Sequence, residues 1–256
     1  MPAATRADEG AGLGRFALLG VWAVVVVVFS IAMPGVFFNW NNFAVLAGSQ
    51  APAALLALAL VIPLTSGDYD LSVGAVVTLA AMIIGVLNVW HSVPIGWTLL
   101  IALAAGITVG AVNAFFIVYF RIPSLVVTLA SASFISGIVQ WLSNSSTISG
   151  ISPWLVDVAV VGQLFGITYA FYYALAVAAA LWYVFEFTAA GRRLLFVGRG
   201  REVARLNGIS VARVRVGALI GSSVIAAPYS REEYDAQPNG SGKQAQPGHE
   251  LAGPKA

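Results

Sequence analysis

The stretch LALALVIPLTSGDYDLSVGAVVTLAAMIIG, Leu56 to Gly85, carries two acids, Asp68 and Asp70, inside an otherwise apolar run. Working outward, no Asp, Glu, Lys or Arg occurs between Phe16 and Gly67, or between Leu71 and Phe120. Further charge-free runs cover 122–156 and 158–185. Each is longer than the roughly 20 apolar residues that cross a hydrocarbon core about 30 Å thick. Soluble cores come instead in short pieces broken by charged faces. The whole chain of 256 residues is 59% hydrophobic and 9% charged, with a mean hydropathy of +0.86. A soluble domain carries about 25% charged residues. The strand alternation of a membrane barrel is absent. The sequence therefore predicts an all-α, polytopic helical membrane protein with about six to seven spans.

Apolar runs and breakers place spans at 16–33, 43–64, 71–89, 95–119, 125–142 and 167–187, with a shorter seventh run at 214–227. The first run is too long for a signal-peptide core and has no small-residue cleavage site before Pro34. The positive charges test this count. Arg6 and Arg15 precede the first span, Arg121 follows the fourth, and Arg192, Arg193, Arg199, Arg201, Arg205, Arg213 and Arg215 follow the sixth. All fall on one side if the N-terminus is cytoplasmic, as positive charges in short loops dictate. The expected organisation is a cytoplasmic N-terminus at 1–15, a transmembrane domain at 16–227 with a cytoplasmic loop at 188–213, and a polar, disordered tail at 228–256. The polar loop 143–166 then faces outside.

Absences narrow the chemistry. With no cysteine, disulfides and cysteine metal sites are excluded, and His91 and His249 share no motif, so no metal site is expected. NGSGKQ, Asn239 to Gln244, echoes a phosphate-binding loop but has Gln237 at the required glycine position and Gln244 after Lys243. No nucleophile, base and metal converge, so an enzyme is not expected.

Three features remain. Asp68 and Asp70 lie at a helix break: Pro63 is expected to disrupt the helix just before them, and Gly67 and Gly74 bracket them. Acids at such breaks mark ion routes, or Asp70 N-caps the third span with help from Ser72 while Asp68 is a solvated turn residue. The second feature is polar groups within spans. Asn113 suits an interhelical hydrogen bond and, with Ser133, Ser136 and Gln140, is a candidate for lining a solute pathway; the last three share one helical face that either lines such a pathway or bonds neighbouring helices. Gly106 with Gly110, and Gly217 with Gly221, have the small-xxx-small spacing of close-packed membrane helices. The third is REVARLNG, Arg201 to Gly208, read as a short helix with Val203 and Leu206 on one face and Gly208 just past its end. It either docks in a partner's groove or lies on anionic lipid.

Three blocks together resemble the permease subunits of bacterial ABC sugar importers of the ribose, xylose and galactose type, which also includes autoinducer-2 permeases. LTSGDYDLSVGAVVTLAA is similar to that family's Thr-Ser-Gly-x-x-Asp-Leu-Ser-Val-Gly signature, here Gly67, Asp70, Leu71, Ser72 and Gly74. GAVNAFFIVYFRIPSLVVTLA and GRRLLFVGRGREVARLNGISVARVRV resemble two further family blocks. Ala114 and Leu125 stand where the family usually has Gly and Phe. The resemblance implies a permease without its own ATPase site, binding no cofactor. Its implied partners are a separate ATPase that uses ATP, a second permease subunit and an extracytoplasmic sugar-binding protein. It also makes Arg201, Glu202, Val203, Ala204, Arg205, Leu206, Asn207 and Gly208 the ATPase-coupling segment. The family continues with further spans where this sequence reads PYSREEYDAQPNGSGKQAQPGHELAGPKA. A C-terminally shortened permease is therefore expected. The alternatives are a non-transporting remnant, or an ion-coupled carrier working through Asp68 or Asp70.

Overall fold

The computed structural model describes residues 7–144, 146 and 162–229. Helix α1 (Ala7–Ala32) is followed by the single turn α2 (Pro34–Phe37) and the long helix α3 (Trp40–Thr65). Next come α4 (Val73–Gly85), continued by a π-helical turn at Val86–Trp90, then α5 (Ile95–Val118) and α6 (Ser124–Ser143). A hairpin of β1 (Gln163–Leu164) and β2 (Ile167–Thr168) leads into α7 (Tyr169–Phe187). The described chain closes with α8 (Ala189–Arg199), α9 (Arg201–Leu206) and α10 (Val211–Tyr229). Five helices, α3, α4 with its π turn, α5, α6 and α7, are long and apolar enough to cross a membrane. The sequence-predicted spans fall on these helices with ends shifted by a few residues; the first falls on α1 and the seventh on α10. The tail beyond Tyr229, most of the loop 143–166, and Arg6 lie outside the described residues.

The π turn and the hairpin were not legible in the hydropathy. The hairpin turns through Phe165 and Gly166, both at positive φ, as a two-residue turn matching strand twist requires. It rests on the start of α3, where the Trp40 indole N–H donates to the Phe165 carbonyl at 2.8 Å.

Pro63 does not disrupt α3, as its position had suggested; the helix runs through Pro52 and Pro63 to Thr65. The stop is made by Gly67, whose φ of 78° places it in the left-handed region that glycine enters without a Cβ clash. The Gly67 N–H donates to the Leu64 carbonyl and the Asp68 N–H to the Pro63 carbonyl, both at 3.0 Å. This is the Schellman pairing that satisfies a helix's last carbonyls.

Helix α4 is the centre of the bundle. Val73, Val76, Val77, Ala80 and Ile84 are buried among Leu55 and Ala59 of α3, Ala102 of α5, Ile135 and Val139 of α6, and Ala226 and Ala227 of α10. Lipid tails are as apolar as leucine, so close packing rather than water exclusion holds such helices together. Small residues permit it. α10 packs most extensively on α5, at the Gly106–Gly110 stripe. A Cβ on Gly110 would lie 2.9 Å from the Leu219 carbonyl oxygen and 3.1 Å from the Ile220 Cα. The second glycine pair does not form the matching surface: a Cβ on Gly217 would meet nothing within 4 Å, and Gly221 faces Ile62 of α3. The partners of the α5 stripe are Leu219, Ser223 and Ala227 instead. By contrast α1 finds its main neighbour in the short α2, and its apolar side chains from Leu18 to Ile31 are largely exposed.

Gly110→Ala is expected to force α10 away from α5, because two of the three nearest obstructing atoms, the Leu219 carbonyl oxygen and the Ile220 Cα, are backbone, with the Ser223 hydroxyl beside them. Overpacking of this kind costs about 1–3 kcal/mol. Thermal unfolding in detergent should show the loss, while Gly137→Ala, where a Cβ meets nothing within 4 Å, should show only a small change.

Candidate functional site

Seven residues, Ser66 to Ser72, join α3 to α4 and hold the two acids. Both are buried. An isolated buried carboxylate is strongly unfavourable, so each must be hydrogen-bonded or paired with a cation. The two solve this differently.

Asp70 is held by neutral donors. Its Oδ1 accepts from the Ser72 N–H at 3.1 Å and the Ser72 hydroxyl at 2.6 Å, and its Oδ2 from the Ser222 hydroxyl of α10 at 2.7 Å. The Asn113 amide of α5 donates to the Ser72 Oγ at 2.9 Å, and the Ser131 hydroxyl of α6 donates to the Asn113 Oδ1. One chain of polar groups thus links α4, α5, α6 and α10. Asp70 was expected to N-cap the third span. The N-cap is Ser72, without a side-chain cap bond, and Asp70 closes an Asx turn just before it. The α6 side supports the same segment: Tyr69 donates its N–H to the Ser124 Oγ at 3.0 Å and accepts from the Thr128 hydroxyl at 3.2 Å. Of the other signature residues, Leu71 is exposed and Gly74 has open space where a Cβ would stand.

Asp68 corrects the second expectation. It is a buried ion-pair centre and not a solvated turn residue. The Arg215 Nε donates to its Oδ2 at 2.7 Å, and the Arg215 Nη2 to its Oδ1 at 2.6 Å. This is the two-pronged geometry suited to a carboxylate. The Arg201 Nη2 reaches Oδ1 at 3.1 Å and the Gly67 carbonyl at 2.8 Å. The reason is tertiary: the α8–α9 corner folds back over the break. Gly198 sits so close that a Cβ there would lie 2.0 Å from the Thr65 carbonyl oxygen.

Arg121, Arg201, Arg205 and Arg215 line one cleft of about 880 Å³ with Asp68 and Glu202. Arginines from the α5–α6 connection, from α9 and from the start of α10 therefore gather at one end of the bundle. The β-hairpin packs on the beginning of α3 and the break lies at its end, so the hairpin occupies the opposite end.

The helix expected in Arg201 to Gly208 forms as α9. Gly208, φ 75°, terminates it, with its N–H donating to the Arg205 carbonyl and the Ile209 N–H to the Ala204 carbonyl, both at 3.0 Å. It is a second Schellman closure. Ala204 is buried beneath the helix, while Val203 is 56% and Leu206 82% exposed. The Glu202–Arg205 pair at 3.5 Å is exposed and contributes little to stability.

Of the four polar candidates within spans, the structure groups three. Ser133, Ser136 and Gln140 lie exposed along the free side of α6, and the Ser136 hydroxyl returns to the Ala132 carbonyl of its own helix at 2.8 Å. Asn113 is buried in the Asp70 network and is not part of that stripe. Sequence reasoning missed Arg215, Ser222, Ser124 and Thr128. The available signal for Arg215 was a cation just inside an apolar run, which demands a buried acid partner.

Residues 42–227 match the family model described as branched-chain amino acid transport system / permease component. Among curated proteins, the chain is 22% identical to the xylose transport system permease protein XylH of Escherichia coli K12, over 83% of this chain and 69% of that protein. It is 26% identical to the fructose import permease protein FrcC of Rhizobium meliloti, over 81% of this chain and 59% of that protein. It is 27% identical to the L-arabinose ABC transporter permease protein AraH of Azospirillum brasilense, over 86% of this chain and 64% of that protein. No solved structure matches.

Asp70→Ala should leave the buried Ser72 N–H without its acceptor and cost about 1–3 kcal/mol, the range for a buried donor left unsatisfied. Ser222→Ala removes one of the three donors and should cost about 1 kcal/mol. Unfolding in micelles, followed by helical circular dichroism, checks both the losses and their order.

Proposed function

Since the chain belongs to the permease family of branched-chain amino acid transport systems, whose members matched above include sugar permeases, we propose that it is the membrane-spanning subunit of an ATP-driven importer for a monosaccharide or similar small polar solute. A separate subunit hydrolyses ATP, and this chain holds no cofactor. A second permease subunit completes the pathway, and a binding protein delivers the solute from outside. The arginine-rich end faces the cytoplasm, because short cytoplasmic loops carry the Lys and Arg excess; the N-terminus then lies on the same side.

The observation that carries this reading is α9. A short helix closed at its end by Gly208, seated on Ala204, turns Val203 and Leu206 outward at the arginine-rich end. A helix with a small apolar face is suited to a groove in a partner. The exposed stripe of Ser133, Ser136 and Gln140 supports the pathway assignment, since polar groups on a membrane helix gain from facing water or another subunit rather than lipid. Neither acid is poised to carry an ion. Asp68 is already matched by two arginines and Asp70 by three neutral donors, which speaks against an ion-coupled carrier.

The test is co-purification of this chain with the ATPase of its own transport system from membranes. The wild-type chain should retain the ATPase. Val203→Asp combined with Leu206→Asp should lower retention at least tenfold, about 1.4 kcal/mol or more of docking free energy, while Gln140→Ala should not. Absence of retention by the wild-type chain would overturn the reading.

A further inference from the structure

We propose that Asp68 is a positioning residue that ties α9 to the α3–α4 break, so that a displacement of α9 is passed to the centre of the bundle. The inference deepens the reading above, because it takes α9 as the segment that meets the ATPase.

Asp68 joins the α3–α4 break to α9 and α10, two neighbouring elements that follow it in the chain by more than 130 residues. The carboxylate stands on the break. Arg215, one turn into α10, fixes both of its oxygens. Arg201, the first residue of α9, adds a bond to Oδ1 and a second bond to the Gly67 carbonyl. The three residues differ in burial: the side chains of Asp68 and Arg215 are 2% and 13% exposed, and that of Arg201 is 46% exposed. The Asp68–Arg215 pair is therefore the fixed half, shielded from water, and Arg201 is the half at the surface. Packing supports the tie from a second side, since Gly198 brings the end of α8 against the Thr65 carbonyl. Beyond the break, Asp70 two residues on is bonded to α10 and, through Ser72 and Asn113, linked to α5 and α6. A shift of α9 thus reaches four helices through two sets of hydrogen bonds joined by the short backbone link from Asp68 to Asp70.

The test replaces the buried pair by apolar side chains of similar size, Asp68→Leu with Arg215→Met. Such a replacement removes both buried charges together and is commonly tolerated, whereas removing one partner strands the other. Arg201 remains and turns to water. In nanodiscs, hydrogen exchange is followed at the α9 amides of Ala204 to Asn207. They should exchange about tenfold faster in the double variant, with the α5 amides unchanged; unchanged α9 exchange would overturn the proposal. This arm needs no ATPase, so it is decided even if the wild-type chain retains none. With the ATPase present, the variant should keep the subunit and its basal hydrolysis but move about tenfold less solute per ATP. A wild-type ratio of solute to ATP would overturn the proposal while leaving the permease assignment intact. Asp68→Glu, which keeps the charge, should recover most of that ratio. Recovery by the apolar pair instead would show that Asp68 serves stability alone.

Discussion

A carboxylate taken out of water must be answered by donors or cations within hydrogen-bond reach, and the arrangement of this bundle's arginine-rich end follows from that requirement. Asp68 occupies a break that packing has already closed off from solvent. Its two oxygens leave room for few solutions, and Arg215 supplies the best of them, a forked donor set matched to a carboxylate. To place that fork, the first turn of α10 must lie against the break, and this orients α10 on the glycine stripe of α5. Arg201 then fixes where α9 begins. The same acid that looks like a liability in an apolar sequence therefore sets the register of three connections.

Asp70 illustrates the opposite resolution. It has hydroxyl and amide donors where Asp68 has cations, and the network extends inward instead of toward the surface. The two acids are only two residues apart, yet one is joined to the face that meets the aqueous phase and the other to the helix core. Cation pairing and neutral hydrogen bonding can each satisfy a carboxyl group's oxygens away from water, but only the first leaves a group, here Arg201, that reaches the outside.

Helices were legible because the charge-free runs exceed the length of a bilayer crossing, and the end of α9 was legible because Gly208 admits a left-handed backbone. The α3–α4 break was placed correctly but assigned to the wrong residue. Pro63 is the conspicuous breaker, yet a proline near the end of a helix removes one N–H and can be accommodated, whereas Gly67 reverses the chain. The burial of Asp68 was not legible at all. Nothing local to TSGDYDLSVGA announces that an arginine-bearing corner will fold over it, because that contact is set by tertiary packing at Gly198 and Thr65. The stripe 133–136–140 was legible as one face from its spacing, and Asn113 as a residue suited to an interhelical hydrogen bond, but its partners Ser72 and Ser131 on other elements were not.

The ion pair also has a consequence in time. Arg201 lies 133 residues after Asp68 and Arg215 lies 147 after it. Chains are synthesised at about 5–20 residues per second, so roughly 7–30 s separate the acid from its second cation. During that interval the α3–α4 pair is already made and already apolar enough to leave the aqueous phase. For most of that interval Asp68 has neither of the two arginines that pair with it in the finished bundle. The lock on this break is therefore among the last contacts the chain is able to close: the acid is in place long before the cation that fixes it.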